Sequence, residues 1–166
     1  MQWRTSTFVG DRSTPGRRLN ETYGSSDPTV VRSIAVTTDD LVSALEANRR
    51  ASRHVVLRVT PPFYGRMRAR IHLTGGEGTD YPAGSEGTDG AETPPLHLDP
   101  ESFFEASAPT YPEADDTRPD PYEVETHHER HTAAVSEWRT AVRSHLRDTV
   151  EFPTGDGHEV AVKYLG

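Results

Sequence analysis

Apolar and polar residues alternate most regularly between residues 54 and 73. In "HVVLRVT", residues 54–60, the apolar positions Val55, Leu57 and Val59 alternate with His54, Val56 and Arg58. In "GRMRARIHL", residues 65–73, the two alternating sets are Met67, Ala69, Ile71 and Leu73, and Arg66, Arg68, Arg70 and His72. A period of two is typical of a strand with one face on the core. The segment "PPFYG" between them indicates a tight connection, so we predict an antiparallel hairpin with the arginines on its outward face.

Two segments show helical spacing instead. In "TTDDLVSALEANRRA", residues 37–51, an apolar stripe is preceded by Asp39 and Asp40 and followed by Arg49 and Arg50, as the helix dipole favours. In "THHERHTAAVSEWRTAVRSHLRD", residues 126–148, the predicted buried stripe is Val135, Trp138, Val142 and Leu146. Thr126 and Glu129 fit a capping box at its start.

The remaining patterns complete an α+β chain. "TVVRSIAV", residues 29–36, and "LHL", residues 96–98, indicate strands, and residues 149–165 indicate a terminal hairpin. "DPESFFE" indicates a short helix with Asp99 as its N-cap. The order is β-α-β-β-(acidic insertion)-α-β-β. It predicts an antiparallel sheet with the two main helices on one face, in a ferredoxin-like core order.

Composition indicates that a sizeable part of the chain lies outside this core. Only 33% of the 166 residues are hydrophobic, and the mean hydropathy is −0.73. Residues 1–28 show no sustained period, so we predict a disordered extension there, or a start site assigned too early. Residues 29–166 are predicted to form a single α+β domain. Within it we expect a flexible acidic insertion at about 74–95 and a Pro/acid-rich segment at 107–125.

Several classes of chemistry are excluded. The chain has no cysteine, which excludes a disulfide framework, a thiolate nucleophile and a cysteine-based zinc site. No apolar run approaches the ~20 residues that a membrane span needs, so we predict no membrane association and a cytoplasmic location. A P-loop, a G-x-G-x-x-G motif and a G-x-S-x-G motif are missing. We therefore predict no cofactor and favour a protein that is not an enzyme.

The charges are unevenly distributed along the chain. The net charge is −8, and 17 of the 18 basic residues are arginine. Residues 1–72 have a balance of +6, whereas residues 73–166 have a balance of −14. Scarce lysine with abundant Asp and Glu is typical of a halophilic archaeon, in which carboxylates hold water and cations. The asymmetry indicates an interaction surface or an acidic tail.

The arginine-rich strand face is the first candidate site. Its predicted members are His54, Arg58, Arg66, Arg68, Arg70 and His72. Arginine forks suit phosphate, so one interpretation is a nucleic acid bound on an open sheet face. Arginine is also enriched at interfaces, which favours a protein partner. The third interpretation is a structural domain whose arginines pair with its own acidic residues, including those of the insertion, which would then compete with any anionic ligand.

The second candidate is a metal site at "HHERH". His127 and His131 lie four residues apart on one helical face, a spacing that suits zinc. A third ligand would have to come from Glu129, His97 or His158. The alternative is surface histidines at an exposed helix start. An enzyme that depends on this metal, or one that acts on a phosphorylated substrate, is the rival to a binding module.

Two stretches carry a resemblance to a known group of sequences. "PPFYGRMRARIH" and "LHLDPESFF" resemble stretches in a set of small haloarchaeal proteins of unknown function. The resemblance covers about residues 30–166 and implies habitat and a shared domain. It implies no activity, ligand or catalytic residue.

Overall fold

The computed structural model describes residues 24–51, 54–75 and 93–166 and confirms the α+β class. The strands are β1 (Ser33–Thr37), β2 (His54–Val59), β3 (Arg66–Arg68), β4 (Arg70–Thr74), β5 (Leu96–Leu98), β6 (Thr149–Glu151) and β7 (Glu159–Leu165). The helices are α1 (Thr38–Arg50) and α2 (Val124–Val142), with short 3-10 turns at Pro28–Val30, Pro100–Phe103, Asp115–Thr117 and Arg143–His145. The predicted elements occur in the predicted sequence, except that the strand predicted at 65–73 is two strands, β3 and β4, and that β5, the strand predicted at 96–98, is added to that order before α2.

The strands divide between two sheets. One sheet has the order β3-β1-β7-β6, in which β1 runs parallel to both of its neighbours and β6 and β7 form the predicted terminal hairpin. The other has the order β4-β2-β5 and is antiparallel throughout. The ferredoxin-like order, in which all core strands share one antiparallel sheet, is therefore wrong.

The chain passes from one sheet to the other at Ala69. The predicted continuous strand at residues 65–73 breaks at this residue, which is 1% exposed. Its N–H donates to the carbonyl of Ala35 on β1 at 2.9 Å. The chain before Ala69 therefore pairs with β1, and the chain after it pairs with β2 in the predicted antiparallel hairpin. A small side chain suits this position because both sheets contribute to the same core there.

The inner face of β4 is only partly covered. Ile71 and Leu73, which the alternation places on the core, are each 43% exposed, and Met67 is half-buried. Their partners across the strand pair, Leu57 and Val55, are buried. The difference arises because β2 is the central strand, against which α1 packs, whereas β4 lies at the sheet edge.

A single core joins the two sheets and both helices. α1 contributes Leu41, Val42 and Leu45, and α2 contributes the predicted Trp138 and Val142. Ion pairs cross between the helices. Arg139 donates two hydrogen bonds to Glu46, at 2.7 and 2.8 Å, and Arg143 pairs with Asp39.

The start of α2 differs from the predicted capping box. The N-cap is Glu123, three residues before Thr126, and the Thr126 hydroxyl donates to the Glu123 carboxylate at 2.7 Å. The helix therefore begins about one turn earlier than the sequence pattern indicates, and Thr126 lies within its first turn. At the other end, a 3-10 turn follows Val142 and leaves Leu146 half-buried.

The structure describes only parts of the predicted N-terminal extension and of the predicted acidic insertion. Of the predicted extension 1–28, residues 1–23 lie outside the described residues, while Ser25 exchanges two backbone hydrogen bonds with Phe63, at 2.8 and 2.7 Å. Most of the predicted acidic insertion, residues 76–92, also lies outside them. In the described ranges, no helix is long and apolar enough to cross a membrane.

Candidate anion-binding site

Cationic side chains lie side by side across the three-stranded sheet. In the strand register, Arg58 of β2 is directly opposite Arg70 of β4 on one side and His97 of β5 on the other. Residues opposite each other in a sheet point to the same face. This row therefore places two guanidinium groups and an imidazole together on the face away from buried Leu57 and Val59.

A second histidine extends the row. His72 lies two residues beyond Arg70 and stacks on His97, with ring centroids 5.6 Å apart. Burial, followed by the charges of His72 and Arg58, lowers the pKa of His97 below its ordinary value. His97 is consequently neutral at neutral pH and gains its charge only in acid.

Four of the predicted residues meet around one depression, which we call the cationic hollow. It has a volume of about 300 Å³ and is lined by Arg58, Arg68, Arg70 and His72, together with Thr60, Met67 and Ile71. Arg68 comes from the four-stranded sheet and Arg70 from the three-stranded one. The break at Ala69 therefore brings arginines of both sheets to the same depression.

The arginines of this hollow have no ion-pair partner among the residues that the structure describes. The Nε of Arg58 is buried there without a hydrogen-bond partner. Arg68 donates to the hydroxyl of Thr37 at 3.4 Å, a neutral partner. By contrast, Arg49, Arg50, Arg139 and Arg143 all pair with described acidic residues. These four arginines pair with the protein's own acids, whereas those of the cationic hollow are not paired with any acidic residue that the structure describes.

Two predicted members of the face lie outside the hollow. Arg66 is exposed on β3 but does not line the depression. His54 lies at the far end of β2, where its carbonyl accepts a hydrogen bond from the Thr74 hydroxyl at 2.7 Å. Conversely, sequence reasoning did not assign His97 to this face. The alternation in "LHL" was the available signal, but only the register of β5 on β2 places its histidine beside Arg58.

A second depression lies on the other side of Arg58, and we call it the proline hollow. It measures about 350 Å³ and is lined by Pro61, Pro62, Pro95, Ser25, Ser26, Thr93, Thr60 and Arg58. Ser25 is held there by its backbone hydrogen bonds to Phe63. Gly24 makes this close approach possible, since a Cβ at that position would lie 2.4 Å from the Pro62 Cβ.

The candidate metal ligands His127 and His131 take part in different contacts. The Nε2 of His127 lies 2.6 Å from the carbonyl oxygen of Ala114, and the Nδ1 of His131 lies 3.3 Å from the hydroxyl of Thr117. Both rings thus bind segment 114–117 to α2. Within residues 24–51, 54–75 and 93–166, no three His, Asp or Glu side chains are grouped as metal ligands would be.

A larger cavity, of about 580 Å³, lies between α1, α2 and segment 101–111. Tyr111 and Trp138 contact each other edge to face in its wall, and the Trp138 indole N–H donates to the Pro109 carbonyl. Charges of both signs line it, and Arg49 and Glu101 already pair with each other there. This cavity therefore lacks the charge bias of the cationic hollow.

Comparison with known proteins places the chain in a family. The model of a family described as a domain of unknown function (DUF8009) matches residues 20–166. No curated protein and no solved structure matches the chain.

Proposed function

The chain belongs to the DUF8009 family, and we propose that it is a non-enzymatic binding module that holds phosphate groups of a nucleic acid on its arginine-rich sheet face. The observation that carries this proposal is the convergence of Arg58, Arg68 and Arg70 on one hollow. Each guanidinium offers several N–H donors in a planar fork that matches the oxygens of a phosphate.

The energetics of the free protein support a ligand at this position. Arg58 and Arg70 are directly opposite each other, and like charges in that position destabilise a sheet. A buried guanidinium nitrogen without a partner costs further free energy. A phosphate in the cationic hollow would relieve both, because its oxygens accept hydrogen bonds and its charge neutralises the pair.

Titration of a labelled single-stranded RNA, followed by fluorescence anisotropy, tests the proposal. Affinity should fall steeply between roughly 0.2 and 2 M KCl, because phosphate contacts release counterions. Arg68→Gln and Arg70→Gln should each weaken binding about tenfold, the typical effect of losing one charged hydrogen-bond donor. Arg130→Gln, an exposed arginine on α2, is the matched control and should have little effect.

A second candidate function rests on a different observation. Ile71 and Leu73 are exposed on the edge strand β4, where they alternate with Arg70 and His72, and Ile71 also lines the cationic hollow. Edge strands with exposed apolar side chains accept an extended segment of a partner protein. If a protein co-purifies with the chain and is lost in Leu73→Thr but retained in Arg70→Gln, the edge is the binding site and the nucleic-acid proposal is wrong.

A further inference from the structure

We infer that the cationic hollow and the proline hollow together bind one unstacked nucleotide, with its phosphate at Arg58, Arg68 and Arg70 and its base against Pro61, Pro62 and Pro95. This inference rests on the proposed function and specifies the ligand of the same face. The recognised chemistry is a nucleoside phosphate unit, either as a free nucleotide or as part of a single strand.

The two hollows are adjacent and share part of their walls. Arg58 and Thr60 line both of them, and these two residues follow each other on the outward face at the end of β2. The volumes, about 300 and about 350 Å³, together fall within the range of small-molecule sites, roughly 300–1,000 Å³. A ligand that lies across Arg58 can therefore occupy both.

The residues that line the cationic hollow suit the phosphate of a nucleotide, and those that line the proline hollow suit its base. The cationic hollow offers three guanidinium groups and the His72 imidazole. Among the residues that the structure describes, Arg58 is the single charged residue that lines the proline hollow, together with three prolines and four hydroxyl side chains. Proline rings present apolar C–H groups to the face of a base, and the hydroxyls can form hydrogen bonds with its polar edge or with the sugar.

This arrangement selects against a double helix. A base enters the proline hollow only if it leaves its stack and its pairing partner, which a single strand or a free nucleotide permits at little cost. In a duplex the same movement requires unstacking, at a cost of a few kcal/mol. We therefore expect the face to prefer single-stranded over double-stranded nucleic acid, although phosphate is common to both.

Calorimetric titration of the full chain with four probes tests this inference: inorganic phosphate, adenosine monophosphate, a single strand of about ten nucleotides and the duplex of the same sequence. The nucleotide should bind about tenfold more tightly than inorganic phosphate, since the base buries apolar surface against the prolines. Ser26 is exposed and lines the proline hollow, so the side chain of Ser26→Trp should fill that hollow. This variant should bind the nucleotide no more tightly than inorganic phosphate and should bind phosphate as the unsubstituted protein does. Ser136→Trp and Arg130→Gln, both at exposed positions of α2, are the controls for size and charge, and both should bind as the unsubstituted protein does.

The outcomes separate the inference from the proposed function. If phosphate and the nucleotide bind equally, or if the duplex binds as tightly as the single strand, the inference is wrong while the phosphate site stands. If no probe binds in a manner that depends on Arg70, both are wrong. A single strand that binds more tightly than the free nucleotide supports both the inference and the proposed nucleic-acid function. Equal affinities support the inference but identify a free nucleotide in place of a nucleic acid. The comparison between probes on the unsubstituted protein holds even if a variant fails to fold.

Discussion

Arg58 and Arg70 lie directly opposite each other on neighbouring antiparallel strands. On the other side of Arg58, the register places His97 rather than an acidic residue. Such a like-charge pair lowers stability, and neutral or oppositely charged residues would form the same strands. The arrangement is consistent with a surface whose charges serve a ligand rather than the fold.

We predict that Arg70→Thr stabilises the protein and weakens anion binding. Removing one charge of the pair should raise the free energy of unfolding by about 0.5 kcal/mol, and threonine suits a strand. Phosphate affinity should fall about tenfold in the same variant. Urea denaturation and calorimetric titration measure the two effects, with Arg66→Thr as a control that changes neither greatly. A less stable Arg70→Thr protein would contradict the prediction.

A second prediction concerns the ion pair between Glu46 and Arg139. The Glu46 side chain is only 9% exposed, and its two hydrogen bonds from Arg139 lower the pKa of the carboxyl group. Glu46→Gln should reduce the free energy of unfolding by about 2 kcal/mol, because a buried charged hydrogen-bond pair is broken. Asp39→Asn breaks the other interhelical pair, but Asp39 is 74% exposed, and little change is expected.

The effect of Glu46→Gln should depend on pH. The folded pKa of Glu46 lies below its unfolded value, so the folded state binds fewer protons and the contribution is complete above the ordinary carboxyl pKa. It disappears as pH falls through the lowered folded pKa. Thermal denaturation of both proteins between neutral pH and acid should thus show curves that converge in acid. A difference that stays constant would show that the carboxylate charge is not what stabilises the helix pair.

A third prediction follows from the burial of Ala69. Ala69→Leu inserts a large side chain where the two sheets meet, and overpacking of this kind costs about 1–3 kcal/mol. Ala133→Leu on the exposed surface of α2 is the matched substitution and should have little effect. Since the break also positions Arg68 and Arg70, phosphate affinity should fall in Ala69→Leu but not in Ala133→Leu. Retained stability would mean that the junction has space that the structure does not indicate.

The fourth prediction uses the pKa of His97. Burial and the nearby His72 and Arg58 lower this pKa, so His97 gains a proton at a lower pH than an ordinary histidine does. Sulfate is a suitable probe because its charge does not change in this pH range. Its affinity should rise as pH falls from neutral into acid. Without an anion, stability should decrease over the same interval, since the unfolded chain takes up the proton more readily. His97→Gln should reduce both the rise in sulfate affinity and the loss of stability in acid. If neither changes in this variant, His97 is not their source.

The sequence predicted local features better than the relations between them. The period of two correctly identified the strand pair, and Asp39 with Arg50 marked the limits of α1, because these signals depend on neighbouring residues. The alternation could not show that Ile71 and Leu73 lie at a sheet edge or that Ala69 ends one strand and begins another. Those facts depend on which strands lie beside them. His97 was not assigned to the arginine-rich face for the same reason, because only the pairing of β5 with β2 places it beside Arg58.

The break at Ala69 also gives the cationic hollow a mechanical role. Because Arg68 is anchored to β1 and Arg70 to β2, an anion held by both cross-links the two sheets without a covalent bond. Such a ligand would slow the separation of the sheets as well as fill a surface site. Amide hydrogens of β1 and β2, which belong to different hydrogen-bond networks, would then become protected from exchange together.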